Sequence, residues 1–234
     1  MLSVIISIYN SENILEENIK KLIKFLNTKN IRNYELMIVN DGSKDKSLLI
    51  IQKLLSNKIK YIGYNKNKGR GYAIKYASNL LRGEKIIMMD LDLPSQLNLN
   101  VLKEIIKDLN KYDLVIGSRY LEESKIKREP LRAFFSKIYR LLIKIFFLKL
   151  KIKDTDMGLK GFKKNILIDL NKQSKENRWS WDLELLVNAR KKNYTVKEVP
   201  VIWKEDKKST LNPIKGSLEQ FRGILSIKLR SLLK

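Results

Sequence analysis

Residues 85–92 read Lys85-Ile86-Ile87-Met88-Met89-Asp90-Leu91-Asp92, a short apolar run that stops on two carboxylates one residue apart. Four apolar residues between charged ones are too few for a helix, and a continuous run is the pattern of a strand covered on both faces. The same pattern recurs on either side. Ser3 to Ile8, Tyr34 to Val39, Ile59 to Tyr64 and Asp113 to Gly117 are also strand-like, and amphipathic stretches separate them. This alternation predicts βαβ units, hence an α/β fold with a mainly parallel sheet flanked by helices. Ligands of such sheets bind beyond the carboxyl ends of the strands. The segments after the runs, Tyr9 to Glu12, Asn40 to Ser43, Asn65 to Gly71, Asp90 to Asp92, and Ser118 with Arg119, are therefore expected to line one crevice.

Composition narrows the chemistry. The 234 residues suit one α/β domain, or one domain with a short appendage, and a hydrophobic content of 44% is ordinary for a globular protein. There is no Cys and no His, so thiolate chemistry, imidazole metal ligands and Ser-His-Asp triads are excluded. Catalysis must run on carboxylates, cations, hydroxyls and metal held by oxygen. The 48 Lys and Arg against 25 Asp and Glu give a net charge of +23, which calls for an anionic partner: nucleic acid, a membrane surface or a phosphorylated substrate. The opening MLSVIISIYN lacks a basic n-region and reads as a buried strand rather than a signal peptide. No stretch reaches the roughly 18 uncharged apolar residues of a membrane span.

Asp90 and Asp92 just past a buried strand suit Mg²⁺ or Mn²⁺, which one or two carboxylates hold while diphosphate oxygens complete the shell. A solvated turn accounts for the pair equally well in isolation. Asp41, in VNDGSKD, also follows a strand, where Asp-Gly alone signals a turn. Gly69-Arg70-Gly71 permits close backbone approach and adds a cation, or is simply a tight turn. The expected helix from Trp179 to Ala189 begins with Asp182 and Glu184. Both carboxylates could reach the crevice from that helix start, or Asp182 is a charge favoured by the helix dipole above a core of Trp179, Trp181 and leucines.

Between Lys125 and Lys153 stand ten basic residues and one acid. Over Leu131 to Ile152, Leu131, Phe134, Phe135, Ile138, Leu142, Ile145 and Phe146 fall near one helical face, and Lys137, Arg140, Lys144 and Lys151 near the other. Leu218 to Leu233 repeats the design. Two basic amphipathic helices point to a membrane interface; an ordinary surface helix packed on the sheet is the alternative. A nucleic-acid-binding module would also use the charge, but paired carboxylates at a strand end and the lack of any RNA- or DNA-binding motif argue against it.

Taken in order, SVIISIYNSENI, VNDGSKD, NKGRGYAI, MDLDLP, IGSRY, DTDMGLKGF, RWSWDLELL and EVPVIWKEDKKSTLNP resemble family 2 of the glycosyltransferases over nearly the whole chain. Within it the likeness is to the dolichyl-phosphate (polyprenyl-phosphate) glucosyl- and mannosyltransferases. The resemblance implies a GT-A (Rossmann-like) catalytic domain over residues 1–210, with residues 211–234 a basic amphipathic helix. It implies an inverting transfer of a hexose from UDP-glucose or GDP-mannose to a polyprenyl phosphate, or else to a sugar hydroxyl, by an enzyme peripheral on the cytoplasmic face of a membrane. By the same resemblance Ile8, Tyr9, Glu12, Asp41, Lys68, Arg70, Asp90 and Lys208 surround the nucleotide sugar. Asp90 and Asp92 hold the metal. Arg119, Arg132 and Ser136 meet the acceptor phosphate, and Asp92, Arg119 and Asp182 carry the catalysis, with Asp182 or Glu184 the general base where the acceptor is a hydroxyl. Two residues depart from the pattern: Ser11 separates Asn10 from Glu12, and Pro94 stands where many mannosyltransferases have Gln, which leans toward UDP-glucose.

Overall fold

A seven-stranded sheet ordered β3-β2-β1-β4-β7-β5-β8 carries the fold in the computed structural model, which describes residues 1–204 and 213–232. Its first half is three successive βαβ units: β1 (Leu2–Ile8), α1 (Leu15–Thr28), β2 (Tyr34–Asp41), α2 (Ser47–Leu54), β3 (Ile59–Tyr64), α3 (Arg70–Ser78) and β4 (Lys85–Met89). Then come α4 (Leu93–Gln96), α5 (Val101–Asp108), β5 (Leu114–Ser118), β6 (Lys125–Lys127), α6 (Pro130–Phe146), β7 (Leu159–Lys163) and α7 (Lys164–Gln173). The described chain closes with α8 (Trp181–Lys191), β8 (Val196–Pro200), β9 (Ile202–Lys204) and α9 (Pro213–Leu232).

All five strands expected from the apolar runs are present and run parallel, so their carboxyl ends share one edge. Strand β7 lies antiparallel between β4 and β5. It escapes a periodicity reading because the fully buried Lys160 interrupts its apolar run. Strands β8 and β9 follow one another closely and are divided after Pro200, which has no N–H to donate to a ladder. Strand β9 pairs instead with β6, inside the charged stretch from Glu122 to Glu129.

Each face of the sheet covers its own core. Val4, Ile6 and Ile8 of β1 join one cluster with α1, α2 and α5, while Ile5 joins the other with α3, α7 and α8, as the alternation of a strand requires. Helix α6 buries Tyr139 and Ile143 in the second cluster and leans Leu142 and Phe146 on it. This corrects the expected faces: Leu142 and Phe146 face the protein. The exposed apolar side is Leu131, Phe134, Ile138, Leu141, Ile145 and, past the helix end, Leu148, spaced alternately three and four residues apart. Exposed Lys137 and Lys144 flank that stripe, whereas Arg140 turns inward over the Tyr120 ring, 3.6 Å from its centroid. Lys151 lies beyond the helix. Helix α9 packs on α6 and exposes Phe221, Leu225 and Leu229. No helix among the described residues is long and apolar enough to cross a membrane.

Candidate active site

Asp90 and Asp92 leave β4 together. The Asp90 N–H donates to the Gly158 carbonyl at 3.0 Å, just before β7. A Cβ on Gly158 would sit 1.7 Å from Asp90 Oδ2, so only glycine permits this approach. Asp92 precedes α4 directly. Its Oδ2 accepts from Gln96 Nε2 at 2.9 Å, and Gln96 Oε1 accepts from Trp203 Nε1 at 2.9 Å. The glutamine beside this carboxylate thus comes from position 96 rather than 94. Burial, and then the Asp90 charge, push Asp92 up to about 6. A cation would relieve such crowding, and two aspartates fit Mg²⁺ or Mn²⁺ chemistry. Among the described residues no three carboxylates are placed to hold a metal ion together, so a metal here would need oxygens from a ligand.

Arg70, the first residue of α3, links this pair to α8. Its Nε donates to Asp90 Oδ1 at 2.7 Å and its Nη1 to Asp182 Oδ2. Nη2 is buried without a partner, a donor available to an anion. Asp182 Oδ1 accepts from Lys160 Nζ at 2.7 Å, and Lys160 also donates to the Met157 carbonyl at 2.6 Å. The result is a continuous chain, Asp90–Arg70–Asp182–Lys160, in which every charge has an opposite neighbour. Burial demands no less.

Asp41, at the end of β2, is buried and holds the loop before α3. Its Oδ1 accepts from the Tyr64 hydroxyl and the Lys68 N–H, each at 2.7 Å, and its Oδ2 from Asn67 Nδ2 at 2.8 Å and the Gly69 N–H at 2.9 Å. Gly69 has φ of 98°, and a Cβ there would lie 2.5 Å from the Asn177 carbonyl oxygen. Lys68 Nζ donates to the Tyr72 hydroxyl at 3.0 Å and lies 4.4 Å from the centroid of that ring. At the end of β1, Ile8 is buried and Tyr9 exposed. Glu12 Oε2 accepts from the Lys46 N–H at 2.7 Å, while its own N–H donates to Asp45 Oδ2 at 2.9 Å, which ties the first loop to the start of α2.

Beyond β5, Arg119 grips Asp154 as a fork: Nε to Oδ2 at 2.8 Å and Nη2 to Oδ1 at 2.9 Å, with the Arg119 N–H also on Oδ2 at 2.9 Å. Cations crowd two aromatic rings here. Arg119 lies 5.6 Å from the Tyr120 and Trp203 centroids, Arg128 lies 5.8 Å from Trp203, and Arg140 covers the other ring at 3.6 Å. The Tyr120 hydroxyl and Ser136 Oγ are 2.5 Å apart, which fastens α6 to the rim of the crevice. Arg132 pairs with Glu129 at 3.6 Å.

Residues 3–170 match glycosyl transferase family 2. The chain is 32% identical to the dolichyl-phosphate beta-glucosyltransferase of Dictyostelium discoideum, over 99% of this chain and 75% of that one. It is also 32% identical to the protein of the same name from Homo sapiens, over 99% and 76%. This chain belongs to glycosyl transferase family 2. It is a glycosyltransferase. Glucosyl-3-phosphoglycerate synthase of Mycobacterium tuberculosis, solved with Mn²⁺ and UDP-glucose, shares the GT-A fold: TM-score 0.74 at 13% identity, over 97% of this chain and 78% of that one.

In this transferase Arg70 joins Asp90 of the Asp90–Asp92 pair to Asp182 of α8, while Ile8 and Asp41 end the neighbouring strands β1 and β2 and Lys68 lies in the loop before α3. Lys208 lies outside the described residues. Asp182 has a cation on each oxygen, Arg70 on Oδ2 and Lys160 on Oδ1. Glu184 faces away from the crevice: its Oε2 accepts from Ser174 Oγ and the Lys175 and Glu176 N–H groups, and its Oε1 from Arg230 of α9. The Arg119 fork ties the end of β5 to Asp154.

Sequence reasoning passed over Lys160, Arg128 and Asp156. The visible sign for Asp156 was a second Asp-x-Asp, Asp154-Thr155-Asp156. Burial pushes Asp156 up to about 7, with Arg119 and Lys160 opposing and Asp154 and Asp182 reinforcing. Gln220 of α9 reaches its Oδ2 at 3.4 Å. Because its folded value is raised above the unfolded one, its contribution to stability is complete at acid pH and is lost as pH climbs from about 4 to about 7, on the order of 1.4 kcal/mol per unit. Asp156→Asn is therefore expected to flatten the stability profile between pH 5 and 8 and to be more stable than the parent at pH 8. Urea unfolding at each pH reads this; parallel parent and variant profiles would refute it.

Proposed function

We propose that the chain is an inverting transferase that moves glucose from UDP-glucose to a dolichyl or other polyprenyl phosphate, working peripherally at the cytoplasmic face of a membrane. The observation that carries this reading is the double attachment of α6: one side bears the exposed apolar stripe from Leu131 to Leu148, and the other is fastened at Ser136 to Tyr120 on the crevice rim. A lipid lying under the stripe would present its phosphate at the cationic rim of Arg128, Arg132 and Arg140. The names of the two relatives support the same acceptor and sugar.

Asp90 and Asp92 would hold Mg²⁺ or Mn²⁺, which supplies neutralisation of the departing diphosphate. Arg70 would give its unpartnered Nη2–H to a diphosphate oxygen, while Asp182 and Lys160 keep its guanidinium in place. Asp41 would keep the Asn67–Gly69 loop shaped for the nucleotide. A lipid-phosphate oxygen attacks the anomeric carbon as the bond from that carbon to the diphosphate breaks. A phosphate monoester is already ionised and needs no base, which agrees with the paired state of Asp182.

The test is hexose transfer in detergent, with UDP-glucose and GDP-mannose each offered dolichyl phosphate or a soluble sugar. Transfer of glucose to the lipid phosphate is expected; transfer only to hydroxyls would overturn the reading. The membrane half has its own measurement. Lys137→Ala with Lys144→Ala removes two cations at about 1 kcal/mol each, so sedimentation with anionic vesicles should weaken about thirtyfold at low salt while UDP affinity stays constant. Unchanged vesicle binding would return α6 to an ordinary surface helix.

A further inference from the structure

At the far end of α6 from the crevice rim, a cavity of about 640 Å³ opens between residues 145–151, the C-terminal part of α8 and the end of α9. Its apolar part is made by Phe146, Phe147, Leu150 and Val187. Five cations line it, Lys149, Lys151, Arg190, Lys191 and Lys228, and no carboxylate does among the described residues. Two of the five are oriented by the fold. Arg190 Nε donates to the Lys149 carbonyl at 3.1 Å, and Lys228 Nζ donates to the Phe146 carbonyl at 2.8 Å. A guanidinium has five N–H donors and an ammonium three, so these bonds leave most of their donors for another acceptor. Ile145 and Leu148 belong both to the cavity wall and to the exposed stripe, so the cavity continues the apolar face.

We infer that this cavity binds the headgroup of an anionic phospholipid, its phosphate on the cations and its acyl chains along Ile145 and Leu148. The charge selects an anion and the apolar wall selects an amphiphile; the volume falls within the roughly 300–1,000 Å³ of small-molecule sites. Asp182 lies in the first turn of α8, and Arg190 and Lys191 end it. From Asp182 to Arg190 the helix rises about 12 Å, so the headgroup site is separate from the catalytic crevice. The inference rests on the membrane reading above and adds a defined lipid to it: bound there, the lipid would hold the second end of α6 to the bilayer while Tyr120 holds the first to the crevice.

The experiment titrates the full chain with dihexanoyl phosphatidylglycerol below its micelle concentration, with dihexanoyl phosphatidylcholine and inorganic phosphate as separate arms. Phosphatidylglycerol is expected to bind at least tenfold tighter than either. Arg190→Glu with Lys191→Glu should weaken it at least tenfold, as should Lys149→Glu with Lys151→Glu, and both variants should keep the parent's melting temperature and UDP affinity. Equal binding of phosphatidylcholine, phosphate binding as tightly as the lipid, or indifference to both charge reversals overturns the inference. Transfer to dolichyl phosphate in detergent is measured on the same samples: if the parent transfers nothing, the acceptor reading falls while the lipid affinity is still read.

Discussion

Asp92→Asn is expected to lower turnover about a thousandfold, roughly 4 kcal/mol of transition-state stabilisation, without lowering the melting temperature. The residue is held by Gln96 and crowded by Asp90, so a neutral amide of the same shape keeps the packing and removes the repulsion. Asp90→Asn should cost as much turnover and, in addition, loosen Arg70, its ion-pair partner at 2.7 Å. Gly158→Ala separates position from charge: it leaves both aspartates in place chemically but puts a methyl 1.7 Å from where Asp90 Oδ2 lies, and should reproduce the loss. Steady-state rates against metal concentration, together with thermal melts, test all three. Near-parent turnover in both Asn variants would remove the pair from the site.

The second large effect is on stability. Asp182→Asn leaves Arg70 and the fully buried Lys160 without their shared counter-ion. Breaking a buried pair by removing one partner costs about 3–5 kcal/mol. For a chain of this size that corresponds to a fall of roughly 10 °C in melting temperature. Lys160→Met in the same chain should recover much of the loss, since it removes the stranded charge and keeps a side chain of similar length. Urea denaturation of the two single variants and the double gives the coupling. A stable Asp182→Asn enzyme that loses activity only toward hydroxyl acceptors would instead restore Asp182 as a base.

The strands were legible because burial on both faces leaves a local mark, a continuous apolar run, and because ligand-binding polar residues must follow such runs in a parallel sheet. Asp90, Asp92, Asp41 and Arg70 could be picked out on that ground alone. The ordered motifs added the family. Tertiary structure decided the rest, since a charge carries no local sign of its partner. Asp182 and Glu184 look alike at the start of one helix, yet one faces Arg70 and Lys160 and the other faces Arg230, because residues two apart on a helix point to different sides. Lys160 hid β7 for the same reason: a lysine in a buried strand makes sense only once Asp182, 22 residues later, lies beside it. The amphipathic character of α6 was visible in the sequence, but which apolar face met the core was not. Its apolar residues cover more than half the helix, and only the packing of Tyr139 and Ile143 against the second core cluster left the stripe from Leu131 to Leu148 outward.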